Sequence, residues 1–200
     1  MTHDLIDFGG FHVAVDLDQW PAKILRALLR RHYERHELRL VSRLLEPGDR
    51  VIELGSAIGV VALASARIVA PEGIGCFDAN PEMVTAARAN FTRNGKPIHV
   101  ENTVLMPGKE VGKGRPKTTF YVTPYFLSSS LIEHRDDMTA VQVPNASLEA
   151  AIAARAANVA IVDIEGGEFA LLGAADLAGI ETLILELHVG LAGVPACLDL

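Results

Sequence analysis

Cysteine is scarce in this chain: its 200 residues hold two, Cys76 and Cys197, far apart and without C-x-x-C spacing. That excludes a disulfide scaffold and points to a reduced, intracellular protein. Positive charge is also in short supply. Eighteen basic residues stand against 25 acidic ones, a formal net charge of -7, which argues against broad nucleic-acid binding. No apolar run approaches the roughly 18 residues of a membrane span. The opening MTHDLIDFGGFHVAVDLDQW lacks the basic-then-apolar order of a secretion signal. Internal repeats and low-complexity tracts are missing as well. These absences leave a cytoplasmic globular protein with no nucleic-acid or membrane partner, and 50% hydrophobic content suits a single domain of this length. It divides into an N-terminal helical segment over 1–46 and an α/β core over 47–200.

What is present is an alternation of short apolar runs with helical patterns. FHVAV (11–15) reads as a short strand, and apolar spacing over 22–45 predicts one broken helix or two, with the basic residues Arg26, Arg30, Arg31, Arg35, Arg39 and Arg43 on a solvated face. EPGD (46–49) stops it. The rhythm then runs as strand RVIEL (50–54), helix 59–70, strand IGCF (74–77), helix 80–95 and strand PIHVENTVL (97–105). Asn80 suits the N-cap of that second helix and Pro81 its first turn. Residues 106–117, rich in Gly, Pro and Lys, read as a mobile loop, followed by strand TTFYV (118–122) and an irregular stretch over 125–137. Helix 147–156, strand VAIVDI (159–164), helix 169–179 and strand TLILELHV (182–189) complete the pattern. Such alternation predicts a mostly parallel sheet with helices on both faces.

In VIELGSAIG, Glu53 ends a strand and Gly55 and Gly59 bracket a turn into a helix. Glycines there let backbone N–H groups approach a ligand closely. About two dozen residues on, Asp78 ends the next strand, where a carboxylate accepts from ribose hydroxyls. The G-x-x-x-G spacing, with Ala57 at its centre, is neither the G-x-G-x-x-G of dinucleotide sites nor a P-loop, since Val60-Val61 follows Gly59. Glu53 beside the loop disfavours phosphate and suits a ligand with an ammonium and a sulfonium, S-adenosylmethionine (SAM). Glu53, Gly55, Ser56, Gly59, Asp78 and Asn80 form the expected cofactor set, with Asn102, at the end of the third strand, approaching the adenine.

These residues resemble the FkbM family of SAM-dependent methyltransferases. YERHELRLVSRLLEPGDRVIELGSAIG (33–59) is similar to the family's opening YE…LL-x-x-G-D-x-V-x-D-V-G-A-N-I-G, and GCFDANPEMVTAARANFTRNG (75–95) to its F-E-P-N-P-E…N-x-x-x-N-G. SSSL (128–131), VAIVDIEGGEFALLGA (159–174) and LILELH (183–188) resemble its Ser-Ser-Leu, its K-I-D-V-E-G-x-E-x-x-V-L-x-G-A and its closing I-x-E-x-H. The resemblance implies a Rossmann-like class I methyltransferase fold and SAM as methyl donor. Three features depart from the pattern: Ala57 replaces an Asn, Ser147-Leu148-Glu149 replaces Thr-Leu-Asp, and twelve residues follow His188 where a strand hairpin is usual. The last concerns the sheet's far edge, the acceptor's cover or a homodimer surface.

Ligands of open α/β sheets lie outside the carboxyl ends of the strands. Asp163, Glu165 and Glu168 fall at one such end, and Glu186 and His188 at another. If both strands continue that far, Asp163 shares a face with Glu165, and Glu186 with His188. Methylation of a hydroxyl needs alignment and a base. His188 is the expected base, Asp163 and Glu165 join it as catalytic residues, and Glu168, Ser129 and Ser130 are expected to line the acceptor site. Glu168 has a second reading, an acid complementing the dipole of the next helix. Asp163, Glu165, Glu186 and His188 could also take a divalent cation through hard oxygens and one imidazole, but they lack a fixed metal-ligand spacing and no metal is assigned. The expected function is O-methylation of a small hydroxylated molecule, natural product or sugar. A SAM-binding subunit without catalysis and a nicotinamide-dependent oxidoreductase are the alternatives.

Overall fold

In a computed structural model, residues 4–18, 20–111, 116–123, 129–131 and 136–188 are described. Five parallel strands form the central sheet: β3 (Val51–Leu54), β4 (Ile74–Asp78), β5 (His99–Asn102), β9 (Val159–Val162) and β10 (Thr182–Leu185), in the order β10-β9-β3-β4-β5. Side chains alternate across it, which builds two cores from one sequence pattern. Val51, Ile74, Cys76, Val159, Ile161 and Ile184 enter the core shared with helices α1 (Ala22–Leu29), α2 (Arg35–Leu44), α3 (Val60–Ser65) and α4 (Pro81–Arg93). Ile52, Leu54, Phe77, Ala160 and Val162 enter the other, against α5 (Leu148–Arg155) and α6 (Glu168–Leu172). The expected mostly parallel sheet with helices on both faces is therefore present, and the fold is Rossmann-like.

Caps fix the helix starts. Asn80 accepts from the Glu82 N–H and Ser147 from the Ala150 N–H, as Ncap side chains do. The 22–45 segment is two helices, and its six arginines are exposed. Asp4–Asp7 (β1) pairs antiparallel with His12–Val15 (β2), a hairpin of which only the second strand was expected.

Several boundaries differ from the sequence reading. The strand expected over 97–105 is two: Thr103 donates its N–H to the Asp78 carbonyl and its hydroxyl to the Pro144 carbonyl, steering the chain out of the central sheet. Beyond it, β6 (Val104–Met106) pairs with β8 (Thr139–Ser147), which also pairs with β7 (Lys117–Val122). The sequence reading left β8 unassigned. The helix expected over 59–70 stops at Ser65, whose hydroxyl bonds back to the Val61 carbonyl while later N–H groups tighten to third-neighbour bonds. The helix expected over 169–179 ends at Leu172, and the strands expected over 159–164 and 182–189 end at Val162 and Leu185. Of the expected 106–117 loop, 107–111 form turns and 112–115, with Lys113 and Arg115, lie outside the described residues, as do Ser128 and Cys197. Among the described residues no helix is long and apolar enough to cross a membrane.

Candidate functional site

The chain runs from β3 outward to β4 and β5, then returns to the other side of β3 for β9 and β10. The strand order thus reverses between β3 and β9, and a crevice opens at the carboxyl ends of such neighbours. The glycine loop occupies it. Gly55 and Gly59 both have φ of 82°, and a Cβ at Gly55 would fall 1.6 Å from the carbonyl oxygen of Asp163. One at Gly59 would fall 2.4 Å from the Phe91 ring. The sequence reading gave these glycines to ligand approach; their first requirement is protein packing, against the β9 end and against α4. Ala57 also lies left-handed, at φ 43°, and its N–H reaches Asp78.

A cavity of about 310 Å³ fills the crevice, lined by Gly55, Asp78, Asn80, Ser129, Asp163 and Glu165 of the expected set. A smaller hollow, sharing Gly55 and Asp163 with it, adds Glu53 and Ser56. Asp78 is buried, and its two oxygens accept from Ala57 N–H and Asn80 N–H, each at 2.8 Å. Burial raises its carboxyl to about 6, against the pull of those two bonds. Glu53 is 3% exposed, and burial followed by repulsion from Glu34 raises it to about 8. The Cys76 thiol donates to it at 3.7 Å. Four buried polar atoms on these walls have no hydrogen-bond partner: Ser56 Oγ, Asn80 Nδ2, Tyr33 Oη and Asp163 Oδ1. Walls with orphaned donors and acceptors suit a polar ligand.

Gly59 and Asn102 do not line either hollow. Asn102 spends its amide on the carbonyls of Asp78 and Ala79, so it holds the β4 end rather than facing the cavity. Ser129 accepts from the Thr123 N–H on the cavity wall, while Ser130 donates to the Glu165 carbonyl behind it.

Asp163 follows Val162, the residue paired with Leu185, so Glu186 comes beside it just beyond the sheet. The expected strand-alternation argument fails for Glu165 and His188, because both strands have ended; a turn with Glu165 at φ 52° and Gly166 at φ 96° brings them back. His188 Nε2 lies 3.2 Å from Glu165 Oε2 and 3.8 Å from Asp163 Oδ1, and its Nδ1 lies 2.8 Å from Glu168 Oε1. The Glu168 bond, with the nearby Glu165 and Asp163 charges, raises His188 against burial. Burial, then Glu34, Glu186 and Glu165, raise Asp163. Glu168 is fully buried and off the cavity wall; it accepts from Ile164 and Gly166 N–H groups and holds His188. Glu168 is the first residue of α6, where an acid complements the helix dipole as the second reading has it, and the same side chain braces the loop.

Tyr33, Glu34 and Glu37 were not singled out, yet all three line the smaller hollow. They sit at the α1–α2 turn and the start of α2, which packs against β10. Burial and repulsion from Glu37 raise Glu34 to about 7. The only sequence signal was the Tyr-Glu pair of the family-like opening.

No protein-family profile matches the chain. Part of it is similar to curated methyltransferases. The ribosomal protein L11 methyltransferase of Symbiobacterium thermophilum is 38% identical over 68 residues, 34% of this chain and 22% of that protein. Its counterpart in Chloroflexus aurantiacus is 32% identical over 78 residues, 39% and 22% of the two chains. That of Thermus thermophilus is 36% identical over 76 residues, 36% and 29%. The chain thus spans less than a third of the length of these relatives. Among solved structures, the YcgJ protein of Bacillus subtilis is 24% identical with a TM-score of 0.30, covering 34% of this chain and 29% of that one.

Proposed function

We propose that this chain is a SAM-dependent methyltransferase acting on a hydroxyl of a small molecule, natural product or sugar. One observation carries the reading above a nicotinamide enzyme. The two hollows are lined by seven acids, Glu34, Glu37, Glu53, Asp78, Glu110, Asp163 and Glu165, and by no lysine or arginine among the described residues. Acids crowded together with no cation to offset them disfavour a pyrophosphate, whereas an ammonium and a sulfonium favour their ionised forms. The partial similarity to methyltransferases supports the donor, and the resemblance to the FkbM family supports a hydroxyl acceptor rather than protein.

Bound SAM would supply a methyl group on a sulfonium, with S-adenosylhomocysteine as the leaving product. Asp78 would accept from the ribose hydroxyls through the lone pairs that Ala57 and Asn80 leave free. Glu53 would face the ammonium, and the Ser56 hydroxyl and Asn80 amide would find the partners they lack. Asp163, Glu165 and His188 would orient the acceptor hydroxyl at the cavity's edge. This group of side chains would take up the hydroxyl's proton as the methyl is transferred. Alignment supplies most of the acceleration, and a base adds roughly 10²–10⁴-fold. Glu168 acts through His188 and the 164–166 turn.

Purified protein incubated with methyl-labelled SAM and a panel of hydroxylated metabolites should label at least one acceptor, and His188→Ala should lose turnover while still binding S-adenosylhomocysteine. Binding without turnover on any acceptor would favour a SAM-binding subunit that does not catalyse.

A further inference from the structure

Glu186 joins two groups of side chains whose ligand atoms lie within 4.8 Å of one another: Asp163, Glu186 and His188, and Glu34, Glu37 and Glu186. The sheet creates this meeting. Glu186 and Asp163 succeed the paired residues Leu185 and Val162, so they project to the same face, toward the start of α2.

We propose that Asp163, Glu186 and His188 Nε2 form a divalent-cation site, with Glu34 and Glu37 closing its far side. Three observations support it. First, the imidazole is oriented as metal-ligating histidines are: Nδ1 is taken by the fully buried Glu168 at 2.8 Å, which leaves Nε2 toward the carboxylates. Second, Nε2 and Asp163 Oδ1 are 3.8 Å apart, and two ligands on one ion, each at about 2.0–2.2 Å, span a comparable distance. Third, ligand-seeking atoms already face this region. Asp163 Oδ1 is buried without a hydrogen-bond partner, and so is the hydroxyl of Tyr33, a residue 7% exposed that lines the hollow with Glu34, Glu37 and Asp163.

The donors are carboxylate oxygens and one imidazole, with no thiolate, which suits Mn²⁺ or Mg²⁺ with zinc as a competitor. Two or three ligand positions would remain for water or a substrate oxygen. The role this suggests, gripping the acceptor hydroxyl and easing loss of its proton, rests on the methyltransferase reading; the cation site does not.

The test is Mn²⁺ titration of chelator-treated protein, with free Mn²⁺ read by electron paramagnetic resonance, in the presence and absence of S-adenosylhomocysteine. We expect one Mn²⁺ per chain, binding at least tenfold weaker in E186Q and H188A, and about 10-fold weaker in E168Q through the loss of its hold on the ring. Glu186 is exposed, so E186Q should fold and remain informative if H188A does not. No binding of Mn²⁺, Mg²⁺ or Zn²⁺ at millimolar concentration, or Mn²⁺ binding by E186Q equal to that of the unmodified chain, would overturn the proposal. Mn²⁺ binding with no binding of S-adenosylhomocysteine would keep the cation site and remove the methyltransferase reading.

Discussion

Glu168 holds His188 from beneath: Oε1 and Nδ1 are 2.8 Å apart, and the same oxygen accepts from the N–H groups of Ile164 and Gly166. One buried carboxylate thus fixes both the imidazole and the turn that carries Glu165.

Replacing it should show that double duty. Glu168→Leu leaves two backbone donors and one ring N–H, all part-buried, without their acceptor, each loss on the order of 1 kcal/mol. Urea unfolding should therefore report a destabilisation of about 2–5 kcal/mol, and Glu168→Gln a smaller one. A Glu168→Leu variant as stable as the parent would mean that the turn does not depend on this carboxylate.

Gly55→Ala should be the more damaging of two changes in the glycine loop. The new methyl would meet the Asp163 carbonyl, which belongs to backbone and cannot swing aside. We expect a loss of about 3 kcal/mol or more, read as a fall in folded yield and Tm. Ala57→Gly, by contrast, relieves a left-handed alanine and should be neutral or slightly stabilising.

The buried acids predict the pH dependence of the unliganded chain. Burial raises Glu53 from 4.5 to about 8. Its folded state holds a proton that the unfolded chain releases, so its contribution is complete below about 4.5 and is lost as pH rises through about 8. Tm should fall across that window, and Glu53→Gln should flatten the decline. A Tm that rises with pH in the parent, or an identical slope in Glu53→Gln, would contradict this origin.

Much of the architecture was legible because parallel strands buried on both faces are short apolar runs, and RVIEL, IGCF and VAIVDI stand out between helical patterns. The split at Thr103 was not, since its cause is a pair of bonds to Asp78 and Pro144 that lie far away in sequence. β8 was hidden for a similar reason: TAVQVPNAS is partly polar and holds a proline, and pairing on both sides makes it a strand. At the site, Asp78 closes β4 while Asp163 and His188 follow strand ends, and all three could be found by position. Glu34 and Glu37 could not, because only the packing of α2 against β10 carries them there.

Calorimetric titration with S-adenosylhomocysteine tests the central claim most directly. The unmodified chain should bind one equivalent, and Asp78→Ala should weaken that binding by about 1–3 kcal/mol, the worth of a hydrogen-bonded pair to a charged group. Binding of NAD with no binding of S-adenosylhomocysteine would contradict the account.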